Sequence, residues 1–305
     1  MAGAGGIDTR RSALVTASNR HLVDADWLAA HLDHVVVLDA TVQRNDDEPR
    51  YSDGRRLFEA GHVPTARFAD LFTAFSDPDS QIPFTRPTRT QITAATATVG
   101  VGPDTSVVVY DQSGGAWAAR LWWVLRSWGH QHVRVLDGGL AAWVASGQDV
   151  EVGPGRPPAA EASVFTPTDM RDLVADIDET AGAAEAGDTG APVICALRAT
   201  DFAGDPAVPG TGSIPGSINI PYPETLDAAG RHDPAATRRL IETAGVDPAQ
   251  SPILYCGGGI NAAGLALALA EHGIESARVF DGSLAEWRAD GSRPLATSSR
   301  PGDDA

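Results

Sequence analysis

The chain is written twice. Residues 106–147, SVVVYDQSGGAWAARLWWVLRSWGHQHVRVLDGGLAAWVASG, return at 251–291 as SPILYCGGGINAAGLALALAEHGIESARVFDGSLAEWRADG. Tyr110 falls over Tyr255, Gly129 over Gly273, Asp137-Gly138 over Asp281-Gly282 and Trp143 over Trp287, with one residue of loop length between the copies. Upstream, VVVLDA (35–40) lies over PVICAL (192–197), and GHVPTARFADL (61–71) over GSIPGSINIPY (212–222). A period of half the chain means a duplicated domain, not a solenoid, and 305 residues suffice for two cores. The Pro- and Gly-rich GQDVEVGPGRPPAAEAS between the copies reads as a linker held extended by its prolines. The expected division is 1–148 for the first domain, 149–165 for the linker and 166–305 for the second domain.

Each copy alternates short β-branched runs with helical patterns. VVVLDA, VVVYD and VRVLDG are strand candidates, and AWAARLWWVLRSWG is a helix that stops at Gly129. Such alternation predicts an α/β fold: two tandem domains, each a mainly parallel sheet flanked by helices. Ligands of such sheets bind beyond the carboxyl ends of the strands, where Asp111 and Cys256 both fall.

Composition narrows the function. A formal net charge of −17 argues against nucleic acid or an anionic membrane as partner, so an anionic substrate must be met by local arginines or backbone N–H groups. Two cysteines make no disulfide framework, which suits the cytoplasm. No apolar run is long enough to span a bilayer. MAGAGGIDTRRSALVTASNRHL at the start and ATSSRPGDDA at the end read as loose tails.

Cys256 ends a strand and faces Gly257, Gly258 and Gly259, whose N–H groups can turn inward to form an anion-holding nest. Asn261 is a plausible N-cap for the helix that follows, and that helix aims its positive end at the sulfur. A thiol attacks as thiolate, so this setting favours a nucleophilic cysteine. A cysteine phosphatase would need an arginine six places on, where Ala262 stands.

FEAGHVPTARFADL, VVVYDQSGGAWAARLWWVLRSWGH, VRVLDGGLAAW, SIPGSINIPY, YCGGGINAAG and VFDGSLAEW, in that order, resemble the tandem-domain sulfurtransferases, the rhodanese and 3-mercaptopyruvate sulfurtransferase family, over nearly the whole chain. The resemblance implies two rhodanese domains, the second carrying the cysteine and the first having lost it; Asp111 stands in its place. It further implies that Cys256 takes a sulfane sulfur from a small donor and passes it to cyanide, a small thiol or a thioredoxin-like acceptor. No metal or organic cofactor is implied. The binding residues so implied are Gly257, Gly258, Gly259, Ile260, Asn261 and Arg198, with His62 near the cleft. The expected assembly is a monomer or weak homodimer.

Enzymes of the family that prefer thiosulfate carry basic residues after the cysteine, whereas CGGGIN is closer to the neutral loops of those that prefer 3-mercaptopyruvate. Several family positions differ: the serine two places after the cysteine is Gly258, the terminal threonine is Asn261, an aspartate before Arg198 is Ala196, a second arginine is Ala203 and a histidine is Ser213. Arg67, Arg120 or another arginine could replace the missing one. The alternative is a non-catalytic persulfide carrier or binding protein with a decayed donor pocket. Asp111 reads as a helix-capping carboxylate, Cys195 as a buried inert thiol or a resolving partner of Cys256, and Trp117, Trp122, Trp123 and Trp128 as core or interface packing with Trp117 nearest the cleft.

Overall fold

The computed structural model describes residues 21–158, 163–247 and 249–297; both terminal stretches expected as tails lie largely outside them. The strands are β1 (Leu22–Val23), β2 (Val36–Asp39), β3 (Val42–Arg44), β4 (Tyr51–Asp53), β5 (Arg67–Phe68), β6 (Val107–Tyr110), β7 (Val133–Leu136), β8 (Val174–Ala175), β9 (Val193–Cys195), β10 (Ile218–Asn219), β11 (Ile253–Tyr255) and β12 (Arg278–Phe280). They form two five-stranded parallel sheets, ordered β1-β7-β6-β2-β5 and β8-β12-β11-β9-β10, so every strand of one sheet has its counterpart in the other. Among the described residues the antiparallel hairpin β3–β4 occurs in the first half alone.

Strand register corrects one step of the sequence overlay. β2 sets Asp39 against Tyr110, and β9 sets Cys195 against Tyr255. Asp39 is therefore the counterpart of Cys195, one residue away from the overlay of VVVLDA on PVICAL. Hydrophobic content alone could not resolve this slip, because both runs are apolar on both faces.

The middle of the molecule is a pair of helices, Ala116–Ser127 and Ile260–Glu271. Each packs on its own sheet and on the other helix, which is why each is buried nearly all round, from Ala118 to Ser127 and from Ala262 to Ala270. Their surfaces are complementary. Trp122 and Trp123 of the first line a shared contact with Ala266 and Ala270 of the second. Apolar side chains buried in this way contribute roughly 1.5–3 kcal/mol each, and the cluster joins both halves into one core. The first helix ends as its sequence predicts, with Gly129 at φ +91° just past the cap.

The halves also exchange loops reciprocally. Asp281 Oδ2 accepts the Arg86 N–H from the first half at 2.7 Å, and Asp137 Oδ1 accepts the His232 N–H from the second at 2.8 Å. Since Asp137 and Asp281 are repeat counterparts, this is the two-way contact of an isologous pair within one chain. The linker packs against the first half: His62 and Glu151 exchange backbone hydrogen bonds at 2.9 Å, and Arg156 N–H donates to the Ala66 carbonyl at 3.0 Å. Among the described residues no helix is long and apolar enough to cross a membrane.

Candidate active site around Cys256

β11 and the helix Ile260–Glu271 are joined by Cys256 and its three glycines. Cys256 is 3% exposed. Its N–H donates to Ser283 Oγ at 3.1 Å, its carbonyl accepts from Leu284 N–H at 3.1 Å, and the Gly257 carbonyl accepts from Ala285 N–H at 2.9 Å. The turn after β12 is thus the floor of the sulfur loop. Ser283 is itself unusual, fully buried at φ +51° where the first half has Gly139 at φ +57°. A side chain held in the left-handed region has a local cost that something must offset; here the hydroxyl binds the backbone of the cysteine.

The cap differs from expectation. Gly259, at φ +83°, is the N-cap, so Asn261 lies inside the first helical turn and caps nothing. Of the three glycines, only Gly259 is required by its backbone and by its surroundings. A Cβ there would stand 2.7 Å from the Asp281 carbonyl oxygen and 2.9 Å from Arg120 Nη1. Gly257 and Gly258 face open space, which leaves room for a small donor to approach the sulfur. Among the described residues the N–H groups from Gly257 to Ala262 have no protein acceptor. Together with the helix end they form an anion nest that no side chain fills.

The first half shows that nest filled. Asp111, 1% exposed, accepts the N–H of Ser113 at 2.7 Å and of Gly115 at 2.9 Å through Oδ1, and that of Ala118 at 2.9 Å through Oδ2. Gly115, the helix cap at φ +87°, is the counterpart of Gly259. Asp111 therefore serves as the capping carboxylate. Tyr222 from the second half closes this loop from above, its hydroxyl 3.3 Å from where a Cβ on Gly115 would stand.

The remaining candidates separate. Arg198 is exposed at the cap of the short helix Ala199–Ala203, just past β9, whose parallel neighbour is β11. Its side chain has no partner among the described residues. Asn219 Nδ2 fixes that corner by donating to the carbonyls of Cys195 at 2.9 Å and Leu197 at 2.8 Å. His62 is not brought to the sulfur loop. It is 1% exposed, stacked on Phe58 at 4.1 Å, with Nδ1 against the Phe58 carbonyl and Nε2 3.9 Å from Glu151. Its contacts belong to the first half's other core, on the far side of the sheet from the cluster that contains Cys256. Cys195 also faces away, in the second half's outer core, where burial pushes its thiol up to about 11. That placement supports the inert reading and not a resolving thiol.

Of the possible replacement arginines, Arg67 is committed elsewhere, to the Val99 carbonyl at 2.5 Å. Arg120 is the one at the sulfur loop. It is fully buried, pairs with Asp281 Oδ1 at 2.5 Å, donates to the Phe84 carbonyl at 2.5 Å and lies over Trp123 at 4.6 Å. Trp117 and Tyr51 pack around Phe84 beside it, at 4.9 Å and 5.4 Å, and Trp117 remains partly exposed. A charged residue between apolar neighbours in the middle of a buried helix was the available signal for Arg120. Nothing local announces Ser283 or Asp281 as neighbours of Cys256.

The family model for the rhodanese-like domain matches residues 24–146 and 202–290. A protein of Mycobacterium tuberculosis described as the putative thiosulfate sulfurtransferase SseB is 35% identical over 289 residues, covering 92% of this chain and 98% of that protein. The 3-mercaptopyruvate sulfurtransferase of Escherichia coli is 31% identical over 291 residues, covering 91% and 98%. Among solved structures, Escherichia coli SseA, described as a 3-mercaptopyruvate sulfotransferase with the rhodanese fold, superposes with a TM-score of 0.75 at 29% identity, covering 86% of this chain and 98% of that one. Duplicated sheets, a cysteine-bearing nest in one half, a carboxylate-filled nest in the other and these likenesses agree: the chain belongs to the rhodanese family, as a tandem-domain member.

Proposed function

We propose that this protein is a sulfurtransferase whose Cys256 carries sulfane sulfur as a persulfide. The observation that carries the reading is that Asp111 fills the first loop with its own carboxylate, whereas among the described residues no side chain accepts from the loop after Cys256. In the first step the Cys256 thiolate attacks the outer sulfur of a donor. With thiosulfate the donor S–S bond breaks, sulfite leaves with the bonding pair, and the new S–S bond makes the persulfide anion. With 3-mercaptopyruvate the C–S bond breaks instead, and the carbon takes the thiol proton to leave as pyruvate. In the second step cyanide or a thiolate attacks the outer sulfur and returns Cys256 to thiolate. The persulfide anion accepts hydrogen bonds from the nest, and such preorganised donors stabilise developing charge without reorganising.

The neutral loop favours 3-mercaptopyruvate over the thiosulfate dianion, and Arg198, exposed and without a partner among the described residues, is the proposed receiver of a donor carboxylate or sulfonate. A small thiol or thioredoxin-like protein is the proposed biological acceptor, and the cytoplasm the proposed site of action, in keeping with two free cysteines. Because the two central helices cover each other, a second copy is not needed to bury them, which supports a monomer or weak homodimer. Residues 1–148 and 166–305 are taken as the two domains.

Thiocyanate formation from cyanide with either donor tests the reading. Wild type should turn over, and Cys256→Ser should fall to background. Equal rates for the two proteins, or none with either donor, would overturn it; persulfide loading without turnover would favour the carrier reading.

A further inference from the structure

Arg120 is chemically out of place. It is fully buried, yet only Nη2 is committed, to Asp281 and to the Phe84 carbonyl. Among the described residues Nε and Nη1 are buried without a partner. A buried cation whose N–H groups lack acceptors is costly, and a purely structural ion pair is usually built so that they are satisfied. The uncommitted edge is not aimed at random. Nη1 sits against Gly259, the residue that closes the sulfur loop.

The committed edge leads to the same place. Asp281 begins the turn whose Ser283 hydroxyl accepts the Cys256 N–H, and whose Leu284 and Ala285 N–H groups hold the Cys256 and Gly257 carbonyls. Arg120 comes from the half without a cysteine. Its repeat counterpart in the other half is Gly264, where a Cβ would strike the Tyr222 ring at 2.6 Å. The filled nest is therefore faced by a neutral phenol, and the empty nest by a guanidinium.

We propose that Arg120 is a positioning residue for Cys256. It braces the sulfur loop from the first half through Asp281, and it keeps uncommitted N–H groups behind Gly259 for the state in which the loop holds an anion. This rests on the sulfur-carrying reading of Cys256 and assigns a task to the cysteine-free half.

The test is the double variant Arg120→Met/Asp281→Asn, which removes both buried charges together and leaves a carbonyl to receive the Arg86 N–H. Three quantities are read: thermal midpoint, the rate of Cys256 alkylation by iodoacetamide at neutral pH, and kcat and KM for thiocyanate formation. The expected result is a folded protein in which alkylation and kcat both fall by about tenfold or more while KM changes little. Arg120→Lys keeps the charge and a bond to Asp281 but loses the uncommitted edge; it should fold and lie between the two. Wild-type alkylation and turnover in the folded double variant would overturn the proposal. If the double variant does not fold, Arg120→Lys decides alone, and wild-type rates in it would also overturn the proposal. A wild type that is inactive with both donors fails the function reading instead, while the alkylation comparison still judges Arg120.

Discussion

The same loop occurs twice in this molecule, once holding a carboxylate and once holding a thiol. In the first half Asp111 meets its N–H donors with its own side chain, and Tyr222 covers the result. In the second half the N–H groups that follow Cys256 have no acceptor among the described residues, the ground above Gly257 and Gly258 is open, and a buried arginine stands behind. The difference teaches what each loop is for. A permanent side-chain anion makes the first loop a structural cap, whereas under the proposed function the loop that no side chain fills receives charge that appears during reaction. A second cysteine–aspartate exchange accompanies it, since β9 pairs Cys195 with Tyr255 as β2 pairs Asp39 with Tyr110, which makes Cys195 the repeat counterpart of Asp39.

The largest expected effect that bears on this contrast is at Asp111. Asp111→Ala should lower unfolding free energy by about 2–4 kcal/mol, because the buried Ala118 N–H and the half-buried Gly115 N–H lose their acceptor along with the Ser113 N–H. Asp111→Asn, which keeps one acceptor oxygen, should recover part of that loss. Chemical denaturation measures both, and thiocyanate turnover per folded molecule should stay at the wild-type level. A silent Asp111→Ala would break the comparison, since the first loop would then not need its anion.

Next in size is Gly259→Ala. With φ at +83° and a Cβ driven against the Asp281 carbonyl and Arg120, it should cost about 1–3 kcal/mol by denaturation. Turnover should drop with it, because the strained atoms are those that hold the sulfur loop. The smallest effect belongs to Gly258→Ala, which meets nothing and has an ordinary backbone; stability should move by no more than about 0.5 kcal/mol. Equal costs at the two glycines would mean that the whole loop, and not its closing residue alone, is conformationally constrained.

Much of this was legible in the sequence because it is local or repeated. The Tyr110/Tyr255 and Trp143/Trp287 matches gave the duplication, β-branched runs gave the strands, and Gly129 marked a helix end. Cys256 at a strand end beside glycines pointed to the nest. What escaped depended on contacts that no window contains. Arg120 reaches Asp281 across 161 positions, and Ser283 meets Cys256 only because β12 lies beside β11. Asn261 was read as the cap because a polar side chain is the commoner cap, but a glycine at positive φ, Gly259, caps the helix two residues earlier. His62 matched the family by neighbouring residues, yet its ring stacks on Phe58 in the opposite core.

The central claim is that Cys256, and no other residue, carries the sulfur. The direct measurement is mass spectrometry of the protein after exposure to thiosulfate or 3-mercaptopyruvate and removal of excess donor. The predicted result is one added sulfur atom on the Cys256 peptide, lost on treatment with cyanide, with Cys195 unmodified because burial holds its thiol at about 11 and hence protonated at neutral pH. An unmodified Cys256 with both donors, or the added sulfur on Cys195, would contradict the account.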